Sequence, residues 1–147
     1  MDGYFAAQPH HRLRQHVRDF AEAEVRPRVP AMEESRSVHH ELSRLIARQG
    51  WLGATIGTDF GGMGIGHLGK TVIIEELSRV SAAMGAMVQA SQLGAAKILH
   101  FGSEVQKKTW LPPIAAGECL PTIAVTEPES GGRVLGMGAT PGAGGDE

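Results

Sequence analysis

Gly64 to Thr71 reads GIGHLGKT and matches the phosphate-loop pattern G-x-x-x-x-G-K-[ST] in full. Gly64, Gly66 and Gly69 also fit G-x-G-x-x-G. In such a loop Lys70 would lie on the phosphates and Thr71 on magnesium. The surroundings argue against that chemistry. A phosphate loop leaves a buried strand directly, so that amides at the next helix's N-terminus converge on the anion. Here Thr58 to Met63 intervene, and Asp2, Asp19, Asp59 and Asp146 follow no second apolar strand that would make one of them a magnesium ligand. The competing reading is a glycine-rich turn before a helix. A nucleotide-binding fragment built on residues 64–71 remains as an alternative.

The other chemistry-bearing residues fall into no working set. The chain has seven histidines. His39 and His40 are adjacent and point to different helix faces. His10, His11 and His16 lack the one-turn spacing of a metal pair, so no metal ligands are assigned. Glu75 and Glu76 are neighbours expected to be solvated. Glu127 and Glu129 flank a proline. Met84 and Met87 are expected as core filler. Cys119 stands alone and cannot form an internal disulfide.

These residues are carried on a chain that reads mostly as helix. Leu13, Val17, Phe20, Ala21 and Val25 form one apolar face, with Pro27 and Pro30 expected to end it. A second helix is expected over Val38–Gln49, with Ser37 as N-cap and Gly50 as C-terminal cap. Trp51 to Gly66 is a glycine-rich loop in which Leu52 to Ile56 could be extended. A third helix begins near His67 or Leu68 and buries Leu68, Val72, Ile73, Leu77 and Val80. The fourth, Ala83 to His100, is apolar on most sides and belongs inside a bundle or against a ligand. Gly85, Gly94 and its alanines allow close neighbours. Gly102 stops it, and Ser103 with Gln106 spells a capping box for a fifth helix. Pro112 and Pro113 are expected to end or bend that helix. Leu120 to Val125 is strand-like, and from Ser130 onward glycine dominates. The fold class is therefore all-α. Residues 1–118 form a helical domain, and 119–147 hold the first strand of an incomplete second unit, with a poorly ordered tail.

The bulk composition narrows the function classes. The apolar fraction is 41%, the charged fraction 20% and the formal net charge −2. That balance does not suit nucleic-acid binding. No run approaches the ~18 apolar residues of a membrane span. Met1 to Arg14 lacks the apolar core of a signal peptide, and a cytoplasmic setting is the expectation.

Two strings are more specific. Phe101 to Glu118 reads FGSEVQKKTWLPPIAAGE, and Ala124 to Gly132 reads AVTEPESGG. In this order and at this separation both resemble the acyl-CoA dehydrogenase family. The first is similar to a helix-and-proline stretch ending in a small-Gly-Glu turn. The second is similar to the flavin-binding T-E-P motif that opens the family's central β-domain. GTDFGGMGIG, at Gly57 to Gly66, resembles the family's Gly-Gly turn between helices. The resemblance runs from about Leu13 to Gly138.

The resemblance implies an FAD enzyme that dehydrogenates an acyl thioester. A carboxylate removes the α-proton, the β-hydrogen passes as hydride to flavin N5, and electrons leave to an electron-transfer flavoprotein. Ile123, Val125 and Thr126 would lie along the flavin ring, and Gly131 and Gly132 beside its pyrophosphate. Ala86, Gln89 and Leu93 would face the acyl pocket, although plain bundle core explains that stripe equally well. The full enzyme would be a homo-oligomer. Gly131-Gly132-Arg133 departs from the family's common Gly-Ser-Asp, which points to an unusual carrier such as an acyl carrier protein. The region carrying the family's catalytic base has no counterpart here, so no catalytic residue is assigned and the chain reads as a truncated front part. A third reading is a helical interaction module without catalysis.

Overall fold

The computed structural model describes residues 8–37 and 40–139. The first helix, α1, is Gln8–Phe20. The chain then stays helical through a π turn, Ala21–Val25, and a 3-10 turn, Arg26–Arg28, into α2, Val29–Ser35. The expected stop at Pro27 and Pro30 does not occur. Both prolines sit in the first turn of a new helical segment, where an N–H would have no intrahelical partner. Arg28 Nη1 also donates to the Glu24 carbonyl at 2.6 Å.

Helix α3 is His40–Arg48, and the expected start at Val38 lies outside the described residues. Gly50 has φ 76° and its N–H donates to the Ala47 carbonyl, as expected of a C-terminal cap. The Leu52 to Ile56 run is not extended. Trp51–Gly53 is a 3-10 turn, and Trp51, Leu52, Ala54 and Ile56 are all buried. Burial of every large side chain in the run overrides the alternation that a strand would need. Trp51 receives the ring edges of Phe20 and His16, with centroids 4.9 and 5.8 Å away.

Helix α4 is Gly66–Ser78, α5 is Ala82–Phe101 and α6 is Glu104–Ala116. α4 packs between α1 and α5, and α6 lies on α5. Val17, Ala21, Leu42, Ile46, Ile73, Leu77, Met84 and Val88 make the main core, and Ile56, Ala95, Leu111, Ile114 and Ala115 a second one under α6. A Cβ at Gly85 would lie 1.9 Å from Ser78 Oγ and 3.1 Å from the Ile74 carbonyl oxygen, so a side chain there would have to turn Ser78 aside or ease α4 and α5 apart. The capping box of Ser103 and Gln106 is formed in both directions. Gly102 ends α5 in an extended conformation.

Pro112 and Pro113 do not end α6, which runs on to Ala116 and closes at Gly117. Lys108 and Thr109, whose carbonyls lose their helical donors to these prolines, are exposed and open to water. Leu111 and Ile114 are buried on either side of the pair, so packing holds the turn together.

Glu76 corrects a further expectation. It is fully buried rather than solvated. Its carboxylate accepts from Arg14 Nη1 at 2.5 Å, Arg18 Nε at 2.9 Å and Nη2 at 3.0 Å, and Arg79 Nη1 at 3.0 Å. Glu75 stays half-exposed and takes the second arm of Arg14 at 2.7 Å. This cluster ties α1 to α4.

Candidate functional site

The first two amides of the GIGHLGKT string, and the two just before it, are committed elsewhere. Gly62, Met63, Gly64 and Ile65 donate to the carbonyls of Gly57, Gly53, Ile56 and Ala54 at 2.8–3.1 Å. The start of the string is laced onto the turn before it. The Thr71 hydroxyl donates to the His67 carbonyl at 2.9 Å. The segments leading into the loop are 3-10 turns rather than a strand. The structure thus favours the turn-and-helix reading of this string.

Helix α5 presents two different surfaces. Met84, Val88, Ser91, Gln92 and Ala95 are buried against the bundle. Gln92 fixes that orientation. Its Nε2 donates to the carbonyls of Trp51 and Leu52, and its Oε1 accepts from Thr55 N–H at 3.3 Å and Thr55 Oγ1 at 2.5 Å. All of its amide hydrogen-bonding capacity is directed at residues 51–55, so α5 cannot turn about its axis without leaving buried polar groups unpaired. The opposite side carries Ala82, Ala86 and Leu93, exposed, with Gln89 half-buried beside them. The three residues expected to face an acyl group therefore lie on the open side of α5 and not in the bundle core. Further along, Lys97, Ile98, Phe101, Gly102, Gln106 and Trp110 line an apolar groove of about 340 Å³ where α5 meets α6. The Lys97 ammonium stands 5.9 Å from the centre of the Phe101 ring.

After α6 the chain returns across α5. A Cβ at Gly94 would lie 2.7 Å from Pro121 Cβ, so the glycine seats the returning segment directly on the helix. From there burial alternates. Pro121, Ile123, Val125 and Glu127 are partly buried, and Leu120, Thr122, Ala124 and Thr126 are exposed. This is strand periodicity without a sheet. Among the described residues no neighbouring strand pairs with the run, and a strand is completed only by its ladder. The expected strand at Leu120 to Val125 is thus an unpaired extended segment. Ile123 and Val125 share one side, and Thr126 lies on the other. Gly131 and Gly132 are exposed, with nothing within 4 Å of where a Cβ would stand.

Gly94→Ala is expected to dislodge this segment. Steric overlap with Pro121 should cost about 1 kcal/mol, the low end for overpacking because an unpaired segment can move away. Proteolytic cleavage within 119–126 should speed up while amide exchange within α4 stays unchanged. An unaltered cleavage rate along 119–126 would show that Gly94 does not seat it.

Cys119 is packed beside the second core, and its thiol pKa is pushed up by burial and, less, by Glu118, which disfavours the thiolate. Among the described residues no three His, Cys, Asp or Glu side chains gather in a way that could hold a metal ion. None of the described helices is long and apolar enough to cross a membrane.

Sequence and structure comparisons agree on the relationship. Residues 7–118 match the family described as acyl-CoA dehydrogenase, N-terminal domain. An acyl-CoA dehydrogenase of Bacillus subtilis is 35% identical over 120 residues, which is 81% of this chain and 32% of that protein. The butyryl-CoA dehydrogenase structure from Megasphaera elsdenii superposes with a TM-score of 0.80 at 27% identity, covering 88% of this chain and 35% of that one. An acyl-CoA dehydrogenase from Bacillus anthracis, solved in complex with FAD, gives a TM-score of 0.79 at 31% identity and covers 89% of this chain and 22% of the other. The chain spans no more than about a third of the length of these relatives.

Proposed function

Because this chain belongs to the acyl-CoA dehydrogenase family by its N-terminal helical domain, we propose that it is the front part of an FAD-dependent enzyme that dehydrogenates an acyl thioester. The observation that carries this reading is the match over residues 7–118, joined to the open side of α5 beside the extended run that follows. In this reading Ala86, Gln89 and Leu93 line the acyl group. Ile123, Val125 and Thr126 lie along the flavin ring, with Gly131 and Gly132 at the pyrophosphate. The described residues fit one edge of such a cofactor, since Thr126 and both glycines are open to solvent. FAD, when bound, supplies the hydride chemistry. The chain's part is to position and to exclude water. The carrier is CoA or an acyl carrier protein, the electron acceptor an electron-transfer flavoprotein and the working form a cytoplasmic homo-oligomer.

The chain alone is expected to be colourless and inactive. One extended run leaves most of a flavin in water, whereas ligand sites bury most of the ligand. Leu93, Phe101, Val105 and Trp110 are exposed, so self-association is expected. Purification, a flavin absorbance scan, light scattering and an acyl-CoA assay with an artificial electron acceptor check all of this. A yellow monomer with stoichiometric FAD, or turnover lost on changing Glu127 or Glu129, would overturn the incomplete-enzyme reading. Genomic sequence downstream of the Glu147 codon decides between the two main possibilities. A continuation encoding a β-domain and a further helical domain supports a dehydrogenase, and a stop codon supports a helical interaction module.

A further inference from the structure

Residues 127–139 form a loop whose two ends are joined by one side chain. Glu127 and Ser130 exchange backbone hydrogen bonds in both directions, N–H to carbonyl at 3.0 and 3.1 Å, and so make a tight turn around Pro128 and Glu129. The Ser130 hydroxyl is buried within the loop and donates to the Arg133 carbonyl at 2.6 Å. A 3-10 turn, Val134–Gly136, follows, and Gly136 N–H donates to that same carbonyl at 2.9 Å. The chain then comes back to its start. Glu127 Oε2 accepts from Gly138 N–H at 2.8 Å, and Oε1 accepts from Ala139 N–H at 3.0 Å. Both oxygens of one carboxylate thus hold two successive amides eleven and twelve residues away in sequence.

A loop of this length with touching ends and its own small interior is an Ω-loop. Among its described side chains the interior is slight, because Leu135 is almost wholly exposed and Ser130 is the buried residue. Apolar burial among these described side chains therefore does little to keep it closed. Hydrogen bonds to a charged acceptor are the strongest contacts it has. We propose that Glu127 is the clasp of this loop, a positioning residue that keeps Gly131, Gly132 and Arg133 displayed on a closed turn instead of a loose tail. The turn displays backbone with no side chain over it, followed by an exposed guanidinium. Closure before ligand arrival spares the ordering entropy that a loose tail would lose on binding. That the displayed turn serves a flavin rests on the function proposed above. The clasp itself does not.

The two are separated by the readout. Backbone amide exchange of the 147-residue chain, followed by NMR, reports the clasp directly. In the unaltered chain Gly138 and Ala139 should exchange at least about tenfold more slowly than an unstructured amide. Glu127→Ala should bring both to the unprotected rate. Glu127→Gln offers one acceptor oxygen in place of two and should release one amide while keeping the other slow. Glu129→Gln, in the same turn with an exposed side chain, should change neither. Fast exchange at both amides in the unaltered chain, or equal protection in Glu127→Ala, would overturn the proposal. The flavin reading is decided by the genomic sequence downstream of the Glu147 codon. A stop codon there counts against that reading alone, since the exchange rates decide the clasp.

Discussion

Glu76→Ala is expected to destabilise the chain by about 2–4 kcal/mol, somewhat below the usual cost of breaking a buried ion pair because the partners are not all buried. The carboxylate is fully enclosed, while the side chains of Arg14, Arg18 and Arg79 are 25, 42 and 48% exposed. When Glu76 is removed, the three guanidiniums can turn partly to water, so their loss is softened. What remains is a cavity between α1 and α4 and three like charges drawn together with nothing between them. Urea unfolding followed by circular dichroism measures the change. A midpoint within experimental error of the unaltered chain would show that the cluster is ornamental.

The same cluster gives stability a pH dependence with a definite sign. Hydrogen bonding to Arg18, then to Arg14 and Arg79, outweighs burial and pulls the Glu76 carboxyl from 4.5 down to about 2. A folded-state pKa below the unfolded value means that the unfolded chain binds the proton more readily. The contribution is therefore complete above about pH 5 and is lost as the pH falls towards 2. Allowing for screening of the half-exposed arginines, its size is about 2 kcal/mol. Glu76→Gln should flatten the stability profile between pH 5 and pH 2 relative to the unaltered chain. Identical slopes for the two proteins would remove Glu76 as the cause.

The position of Glu76 was readable, although its burial was not expected. It lies four residues after Val72 and three after Ile73, on the apolar stripe of α4 itself. A charge on such a stripe asks for partners, and Arg14 and Arg18 are one turn apart on α1. The pairing spans some sixty residues, which one-dimensional periodicity does not reach. The prolines failed for a related reason. Pro112 and Pro113 do weaken α6, but Leu111 and Ile114 are anchored on both sides of them. Features that depend on neighbours in sequence were legible, including the capping box at Ser103 and the stop at Gly102, while Gly85 and Gly94 marked places of close approach without naming what approaches. The candidate site was legible as residue types only. Ala86, Gln89 and Leu93 were spaced as one face, but nothing local could say whether that face met core or solvent. Gln92, with its bonds to Trp51, Leu52 and Thr55, decides the matter.

Gly117→Ala is expected to cost about 2–4 kcal/mol from two separable causes. Gly117 closes α6 with φ 74°, a left-handed conformation that disfavours a side chain by about 1–2 kcal/mol. In addition, the new Cβ would lie 2.2 Å from the Cβ of Ala47 on α3, far inside contact distance, and 3.3 Å from Leu52 Cδ1. The first cause is local to the backbone and cannot be relieved from outside. The second can be. Ala47→Gly removes the opposing carbon, at a cost of about 1 kcal/mol in α3. The double variant Gly117→Ala/Ala47→Gly should therefore be more stable than the sum of its single changes implies, by at least about 1 kcal/mol, while staying below the unaltered chain. Simple additivity would mean that α6 swings away from α3 to avoid the overlap. In that case Glu118 N–H, which donates to the Pro113 carbonyl at 2.9 Å, should lose its protection together with the end of α6. Gly117 belongs to the small-Gly-Glu turn by which the sequence resembles its family. Here that turn is the point at which α6 must pass α3 without a side chain before the chain crosses Gly94 and enters the extended run.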